Sequence, residues 1–434
     1  MAFRSDPERT DITNISPMAD AAIPTRDVRI EQVGAQGDGL TSARAYVPLT
    51  LPGELIRVSF QGDRGEAVAI LEPSSDRVTP PCPHFGDCGG CALQHWGAEP
   101  YLDWKSDQIR EALGRERIET EILTPFAAPP GVRRRLALHA RRLDGRVRLG
   151  FKARRSWRLV EIDVCPIAEP ALVAALPALR QLAAPFLEHP KSAPTLHVTW
   201  TLSGIDVDVT GVERRSGGGL SADARNRAAK AAAAGDLARV TLAGETLYQA
   251  RPPQVRLGPA VVALPPGAFL QAVAQAEAAM ADFAVQAVAG AGRIADLFCG
   301  VGAFSFRLAQ VGSVYAADVS APAVHALTAA TGTAPGLKPI TAEARDLTRR
   351  PMLAMEMKKL DAVLFDPPRA GALEQSGEIG RSRVAKVVGV SCNPATFARD
   401  ARILVDAGFV LNAVKPVDQF LWSPHVELVG VFTR

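Results

Sequence analysis

Apolar and polar residues alternate in short runs over residues 26–71. Val28 and Ile30 alternate with Asp27, Arg29 and Glu31; Gly34, Gly37 and Gly39 then interrupt the chain. Residues 45–47, 55–60 and 67–71 continue the alternation. A period of two predicts strands, and about five short strands in so little chain predict a small OB-like β-barrel of the kind that binds single-stranded nucleic acid. Further on, residues 100–113 read as a helix. Residues 133–158 read as two strands joined at Asp144-Gly145, a strong two-residue hairpin signal, and residues 159–164 as one more strand. Residues 171–265 mix Ala-rich helix with short strands, and Gly217-Gly218-Gly219 marks a loop.

The pattern changes near residue 266. Nearly all-apolar runs at 293–298, 313–317, 361–365 and 385–390 alternate with helical stretches such as 303–310 and 394–407. Short strands without polar alternation, separated by helices, predict a parallel sheet buried on both faces. Residues 409–414 and 426–432 then read as an antiparallel pair closing that sheet. The expected architecture is α/β. It has a flexible arm (1–25), an OB-like barrel (26–75), a central α+β domain (76–265) and a Rossmann-like C-terminal domain (266–434). There is no internal repeat.

Composition narrows the function classes. Of 434 residues 47% are hydrophobic and 22% charged, which excludes a disordered chain. No apolar run approaches the ~18 residues of a membrane span. The first 25 residues lack the apolar stretch of a signal peptide, so a reducing cytoplasm and a soluble monomer are expected. Six cysteines are too few for a disulfide scaffold in a chain this long. Cys82, Cys88 and Cys91 crowd one loop and Cys165 follows alone, a grouping that suggests metal; iron–sulfur and structural zinc both suit four thiolates. The net charge of +3 hides a block at 133–158 with eleven Lys or Arg residues and one acid, Asp144. Such a block suits a polyanion, or is a solvated hairpin face.

Three turns carry chemistry. Asp296-Leu297-Phe298-Cys299-Gly300-Val301-Gly302 is a strand entering a Gly-x-Gly turn, whose glycines let backbone approach a nucleotide-like ligand. Ser305 stands where a dinucleotide fingerprint has its third glycine, which disfavours NAD. Asp318 closes the next strand, where a carboxylate can take ribose hydroxyls; with Asp296 this points to S-adenosylmethionine. Asp366-Pro367-Pro368-Arg369 turns the chain at the edge of another strand, because two prolines cannot continue it. Ser391-Cys392-Asn393-Pro394 puts a thiol just before a helix, whose N-terminus is expected to lower the thiol pKa and favour the nucleophilic thiolate.

These motifs, with Asp-Pro-Pro-Arg-Ala-Gly, Ser-Cys-Asn-Pro-Ala-Thr-x-Ala-Arg-Asp and a late His-x-Glu, resemble the RNA uracil-5-methyltransferases. The resemblance runs from Arg26 to the C-terminus and is greatest to the bacterial ribosomal-RNA branch with a TRAM domain and an iron–sulfur cluster. It implies that Cys392 is the nucleophile, that Glu427 removes the ring proton, and that Cys82, Cys88, Cys91 and Cys165 hold a 4Fe-4S cluster. It further implies that Gln271, Phe298, Gly300, Gly302, Asp318 and Asp366 bind S-adenosylmethionine, that RNA is the partner, and that ribosomal RNA is favoured. Ala303 and Val273 depart from the asparagines the family often has there, so some contacts differ. Asp346 is a loosely aligned adenine contact.

The chemistry stands without the family. Uracil C5 becomes nucleophilic once a thiolate adds at C6; it can then attack an electrophilic methyl group, and a carboxylate must afterwards remove the C5 proton. Reaching C6 requires an unstacked base. The alternatives are transfer-RNA uridine methylation, cytosine-5 methylation, which needs an acid at N3, and a non-catalytic iron–sulfur RNA-binding scaffold. Amino-methyltransferases share an Asp-Pro-Pro turn but want an aromatic residue where Arg369 stands.

Overall fold

A computed structural model describes residues 25–212 and 220–434; the expected arm, apart from Thr25, and the Gly217–Gly219 loop lie outside them. The described residues fall into two compact units.

The first unit, 25–34 and 38–74, is a closed barrel in the order β1-β2-β3-β5-β4. Its strands are β1 (Thr25–Val33), β2 (Asp38–Thr41), β3 (Tyr46–Pro48), β4 (Leu55–Gln61) and β5 (Arg64–Glu72). The alternation seen in the sequence points Ile30, Val47, Ile56 and Val58 into a shared core.

The second unit holds two large sheets. Helix α1 (Ala98–Arg115) and the short strands β6 (Glu121–Ile122) and β7 (Phe126–Ala127) come first. Then follow β8 (Arg135–Leu143), β9 (Arg146–Lys152), β10 (Leu159–Glu161), α2 (Pro170–Ala174), α3 (Leu176–Ala183), β11 (Thr195–Thr201), β12 (Gly204–Thr210), α4 (Ala222–Ala234), β13 (Arg239–Leu242) and β14 (Glu245–Gln249). The seven strands pair in the order β10-β9-β8-β11-β12-β13-β14. One face carries Leu136, Leu138, Leu196, Val198 and Val207 and is sealed by Leu172, Leu179, Phe186 and Ala228 of the helices. The other face, with Ala137, His139 and His197, is left open by those helices. Asp144 and Gly145, both at positive φ (50° and 74°), form the expected tight β8–β9 turn. The strand expected at 159–164 ends at Glu161, where the chain turns to bring Cys165 inward.

The hairpin β15 (Gln254–Leu257) and β16 (Ala260–Ala263) leads to α5 (Ala274–Ala287) and an alternating series. It comprises β17 (Arg293–Leu297), α6 (Ser305–Leu308), β18 (Ser313–Asp318), α7 (Ala321–Ala330), β19 (Ile340–Ala344), β20 (Ala362–Phe365), α8 (Leu373–Arg381), β21 (Lys386–Ser391), α9 (Pro394–Asp406), β22 (Val410–Asp418) and β23 (Glu427–Thr433). The order is β19-β18-β17-β20-β21-β23-β22-β6, with β7 also on β22. The first five strands are parallel, and β23 is antiparallel to both neighbours. Helices α5 to α7 cover one face and α1, α8 and α9 the other, so the sheet is buried on both sides as its apolar runs require. The helix expected at 303–310 shortens to α6, because Gly300 and Gly302 at positive φ keep the chain turning up to Phe304. Strand β19 was not foreseen; its sequence, Ile340-Thr341-Ala342-Glu343-Ala344, lacks an apolar run. No described helix is long and apolar enough to cross a membrane.

Chain order reverses between β17 and β20: the chain leaves β17 toward β18 and β19, then returns to β20 and β21. The carboxyl ends of strands open a crevice at such a point, and that is where open α/β sheets hold ligands.

Candidate active site

A cavity of about 820 Å³ lies at this crevice, lined by Gln271, Phe298, Gly300, Asp318, Asp366, Cys392 and Glu427. Residues separated by more than 150 positions in sequence thus converge, each placed by a strand end. Phe298 leaves β17 in the left-handed region (φ 65°), held by its N–H to the Ala317 carbonyl at 2.8 Å. This backbone is uncommon for a bulky residue and persists only where surrounding structure enforces it. Asp318 ends β18 and accepts the Gly300 N–H (3.0 Å) and the Ser320 N–H (2.8 Å), one on each oxygen. Asp346 also borders the cavity.

Two expected residues lie elsewhere. Gly302 does not line the cavity; a Cβ there would meet the Phe306 ring at 2.6 Å, and its φ is +97°. Its glycine serves the packing of the turn. Asp296 is fully buried beneath the cavity, accepts the Ser305 hydroxyl at 2.5 Å, and burial pushes its carboxyl up to about 7.

Asp366, Cys392 and Glu427 line this cavity from neighbouring strand termini. The turns carrying the first two are tied together, since Asn393 and Thr396 both donate to the Arg369 carbonyl at 3.2 and 3.3 Å. Burial lifts Glu427 to about 7, opposed by a hydrogen bond from Gln419. Burial, then the Glu427 charge, lifts Asp366 well above the usual carboxylate range. The expectation of an acidic Cys392 is overturned. Burial, followed by Glu427 and Asp366, pushes the thiol up to about 11, outweighing the start of α9. That helix end is already capped by Asn393, whose side chain accepts the Ala395 N–H at 3.1 Å.

Gln419 joins the two carboxylates. Its Oε1 accepts the Ala272 N–H at 3.0 Å, which fixes the amide orientation; its Nε2 donates to Glu427 Oε2 (2.8 Å) and to Gln271 Oε1 (2.7 Å). Gln271 Nε2 in turn reaches Asp366 Oδ2 at 3.3 Å. A relay anchored on a backbone amide therefore presents N–H donors to both acids. The 418–427 segment is stapled from outside by Lys105 of α1. Its buried ammonium pairs with Asp418 and donates to the carbonyls of His425 (2.6 Å) and Phe420 (3.3 Å). Tyr101 adds a hydrogen bond to Asp418 at 2.7 Å. Sequence reading found neither Gln419 nor Lys105, because their partners are remote in the chain.

The basic run divides. Arg134 is buried, pairs with Glu277 at 2.7 Å and donates to the Gln271 carbonyl, while Arg135 donates to the Leu270 carbonyl, so both position the Gln271 segment. Arg133 lies over the Phe420 ring. The charges at 141–158 remain on the β8–β9 hairpin and the loop after it.

A second cavity, of about 270 Å³, is lined by Cys82, Cys88, Cys91 and Cys165, all free thiols. Gln94 orders the first loop by accepting the Cys82 N–H at 3.2 Å, and the Gly90 N–H points at Cys88 Sγ (3.4 Å). Burial, and after it the neighbouring sulfurs, raise Cys91 to about 12. Among the described residues no three such groups close in on a point that would hold one metal ion. The thiols border a shared space.

The family model described as tRNA (Uracil-5-)-methyltransferase matches residues 260–434. A protein of Caulobacter vibrioides named as an RNA methyltransferase is 66% identical over 94% of this chain and 100% of its own length. The 23S rRNA (uracil(1939)-C(5))-methyltransferase RlmD of Halomonas elongata is 34% identical over 93% of this chain and 88% of its own. Among solved structures, the Pyrococcus abyssi tRNA (uracil-54, C5)-methyltransferase in complex with S-adenosyl-L-homocysteine has a TM-score of 0.72 and 23% identity, covering 94% of this chain and 99% of that one. That last likeness is one of fold.

Proposed function

Since the chain belongs to the RNA uracil-5-methyltransferase family, we propose that it methylates C5 of a uridine in 23S ribosomal RNA through a transient bond from Cys392 Sγ to uracil C6. The observation that carries this reading is the meeting of one thiol and two relay-linked carboxylates in a single cavity of ligand size. Cys392 adds to C6. C5 then takes the methyl group; Glu427, whose pKa is raised to about 7, takes the C5 proton, and the thiol is expelled. S-adenosylmethionine supplies the electrophilic methyl group. Gln271, Phe298, Gly300, Asp318 and Asp366 are the residues that would hold it, with Gly302 supporting the turn. Burial and the neighbouring Glu427 and Asp366 hold the Cys392 thiol against ionisation.

The cysteine quartet fits an iron–sulfur cluster. Its donors are all sulfur, the Gly90 N–H is aimed at Cys88 Sγ, and the four thiols line one cavity. Bound there, a 4Fe-4S cluster would staple the loop at Cys82 to the strand end at Cys165. Anaerobically purified protein should be brown, with broad absorbance near ~400 nm and about four irons per chain. Stoichiometric zinc in colourless, active protein would overturn this assignment.

Transfer RNA is the second reading, favoured by the description of the matching family model. Mapping 5-methyluridine in ribosomal and transfer RNA of a strain lacking the gene decides between them. RNA carrying 5-fluorouridine at the target should trap the protein covalently, since fluorine cannot leave as a proton. Failure to trap would remove the adduct mechanism.

A further inference from the structure

Trp157 is 80% exposed, although burying an indole would take roughly 150–250 Å² out of water. Its loop is no loose tip. Ala153 N–H donates to the Arg158 carbonyl (2.8 Å), Ser156 N–H to the Ala153 carbonyl (3.1 Å) and Arg158 N–H to the Ser156 hydroxyl (3.1 Å). The cysteine loop braces it from behind. Gly89 N–H donates to the Lys152 carbonyl at 3.0 Å, and a Cβ on Gly89 would come within 2.7 Å of that oxygen. Arg158 pairs with Asp87. A rigid hairpin therefore presents a bare indole with the Lys152 ammonium 3.8 Å from the ring centre.

The ring stands beside a path to the catalytic cavity. On β8 the residues that alternate with buried Leu136, Leu138 and Ala140 are Ala137, His139 and Arg141. His139 faces Gly150 of β9 and Thr195 of β11, and Ala137 faces His197. Lys152, two residues beyond Gly150, shares this face; after burial, its charge is the next cause lowering His139. At the other end Ala137 and His197 line the cavity that holds Cys392. From β9 across β8 to β11 is two strand spacings, about 10 Å.

We propose that Trp157 is a stacking platform for an unpaired base of the RNA strand that crosses this open sheet face into the catalytic cavity. The proposal rests on the RNA reading above. Lys152 holds one part of the ring, the remainder is open to a base, and the surrounding basic residues of the hairpin attract the phosphates. Single-stranded RNA fits; a duplex does not, because its base faces are covered.

The test is binding of a short oligouridylate to the full chain, followed by anisotropy and by tryptophan emission. Trp157→Ala should weaken binding by about 5- to 100-fold, the range of one base–aromatic stack, without changing the salt slope. Trp157→Phe should recover most of the loss and Trp157→Leu should not. S-adenosyl-L-homocysteine affinity and melting temperature should be unchanged in all three. If the unmodified chain binds and methylates RNA while Trp157→Ala binds equally well, the platform is wrong and the enzymatic reading stands. If Trp157→Ala binds weakly but no variant or parent forms a Cys392 adduct, the platform stands and the mechanism fails. An unmodified chain that binds no RNA overturns both.

Discussion

Arg133, Leu136, Ala137 and Phe420 line both cavities, so a cavity of four thiols and a cavity with one thiol meet on a shared wall. Burial is the first cause of raised thiol pKa values on both sides. The second cause differs. At Cys91 it is other sulfurs, opposed by a hydrogen bond from Gln94; at Cys392 it is two carboxylates. Around Cys91 the neighbours are further thiols, whose charge opposes its ionisation. Cys392 stands beside acids whose own proton affinity is raised, Glu427 to about 7 and Asp366 well above the usual carboxylate range. On the roles proposed above, the same residue type serves as ligand on one side and as nucleophile on the other.

The largest expected effects separate these roles. Cys392→Ala should lower methyl transfer by about 10⁴-fold or more, with no trapping of fluorinated RNA and an unchanged melting temperature. Glu427→Gln should still add and methylate, then stall with an RNA–protein band that survives denaturing electrophoresis. Cys165→Ser should do the opposite: iron is lost and the melting temperature falls by about 5 °C or more, while the folded fraction still forms the Cys392 adduct. A fully folded Cys165→Ser protein unable to form that adduct would break the division between the cavities.

Next in size is the relay. Gln419→Leu removes the donors to Glu427 and Gln271 and leaves the Ala272 N–H unpaired, so the base loses its fixed position. A misplacement of that kind costs about 10²-fold in turnover. The pH profile gives the sharper readout. The Gln419 hydrogen bond lowers the Glu427 pKa from what burial alone would give, so its removal raises that pKa. Glu427 must be ionised to act, hence the acid limb of the rate profile, expected near 7 in the parent, should move to higher pH. An unmoved limb with reduced turnover would mean that Gln419 only packs.

A smaller effect tests the electrostatics of Cys392 directly. Because Glu427 raises the thiol, Glu427→Gln should make Cys392 more reactive toward iodoacetamide even as turnover stops. At pH 8 alkylation should be faster than in the parent, because a lower thiol pKa leaves a larger thiolate fraction. In the parent, alkylation should keep accelerating with pH toward about 11. A plateau near neutrality would restore the helix-terminus picture of an acidic thiol.

That picture shows where sequence reasoning stops. The turns at Asp366 and Cys392 were legible, because Pro-Pro and Asn-Pro punctuate apolar strands and strand ends at a switch point face one crevice. The barrel strands and the antiparallel β22–β23 pair followed from periodicity, and the β8–β9 turn from its Asp144-Gly145 dipeptide. What periodicity cannot carry is a sum over distant groups. The direction of the Cys392 shift depends on Glu427, 35 positions away, and on enclosure by segments such as 265–272. Gln419 sits in an unremarkable Asp-Gln-Phe, and its role exists only where Ala272, Gln271 and Glu427 meet. Strands β6 and β7 are two residues each, too short for any period, yet they extend the C-terminal sheet from residue 121.

The basic run gives the smallest effect and refines the comparison at the shared wall. Read as sequence, residues 133–158 are one patch of charge. In the structure Arg134 is an internal strut, buried against Glu277, whose own carboxyl is raised by burial despite the guanidinium. Arg134→Gln leaves that acid buried without its cation, a change that typically costs about 3–5 kcal/mol, and should lower the melting temperature. Arg141 and Arg142, near the β8–β9 turn, are placed to meet phosphates, whereas Arg154, in the loop that carries Trp157, is tied to the Gln36 carbonyl at 2.8 Å. Replacing Arg141 and Arg142 by Gln should leave the fold and S-adenosyl-L-homocysteine affinity intact. RNA binding should weaken modestly, with a salt slope reduced by up to ~0.7 for each phosphate of a single strand that is no longer neutralised. The two substitutions then separate: one changes stability and not the slope, the other the slope and not stability. A double variant with the parent's slope would show that this face is merely solvated, and the RNA path would have to be sought away from β8 and β9.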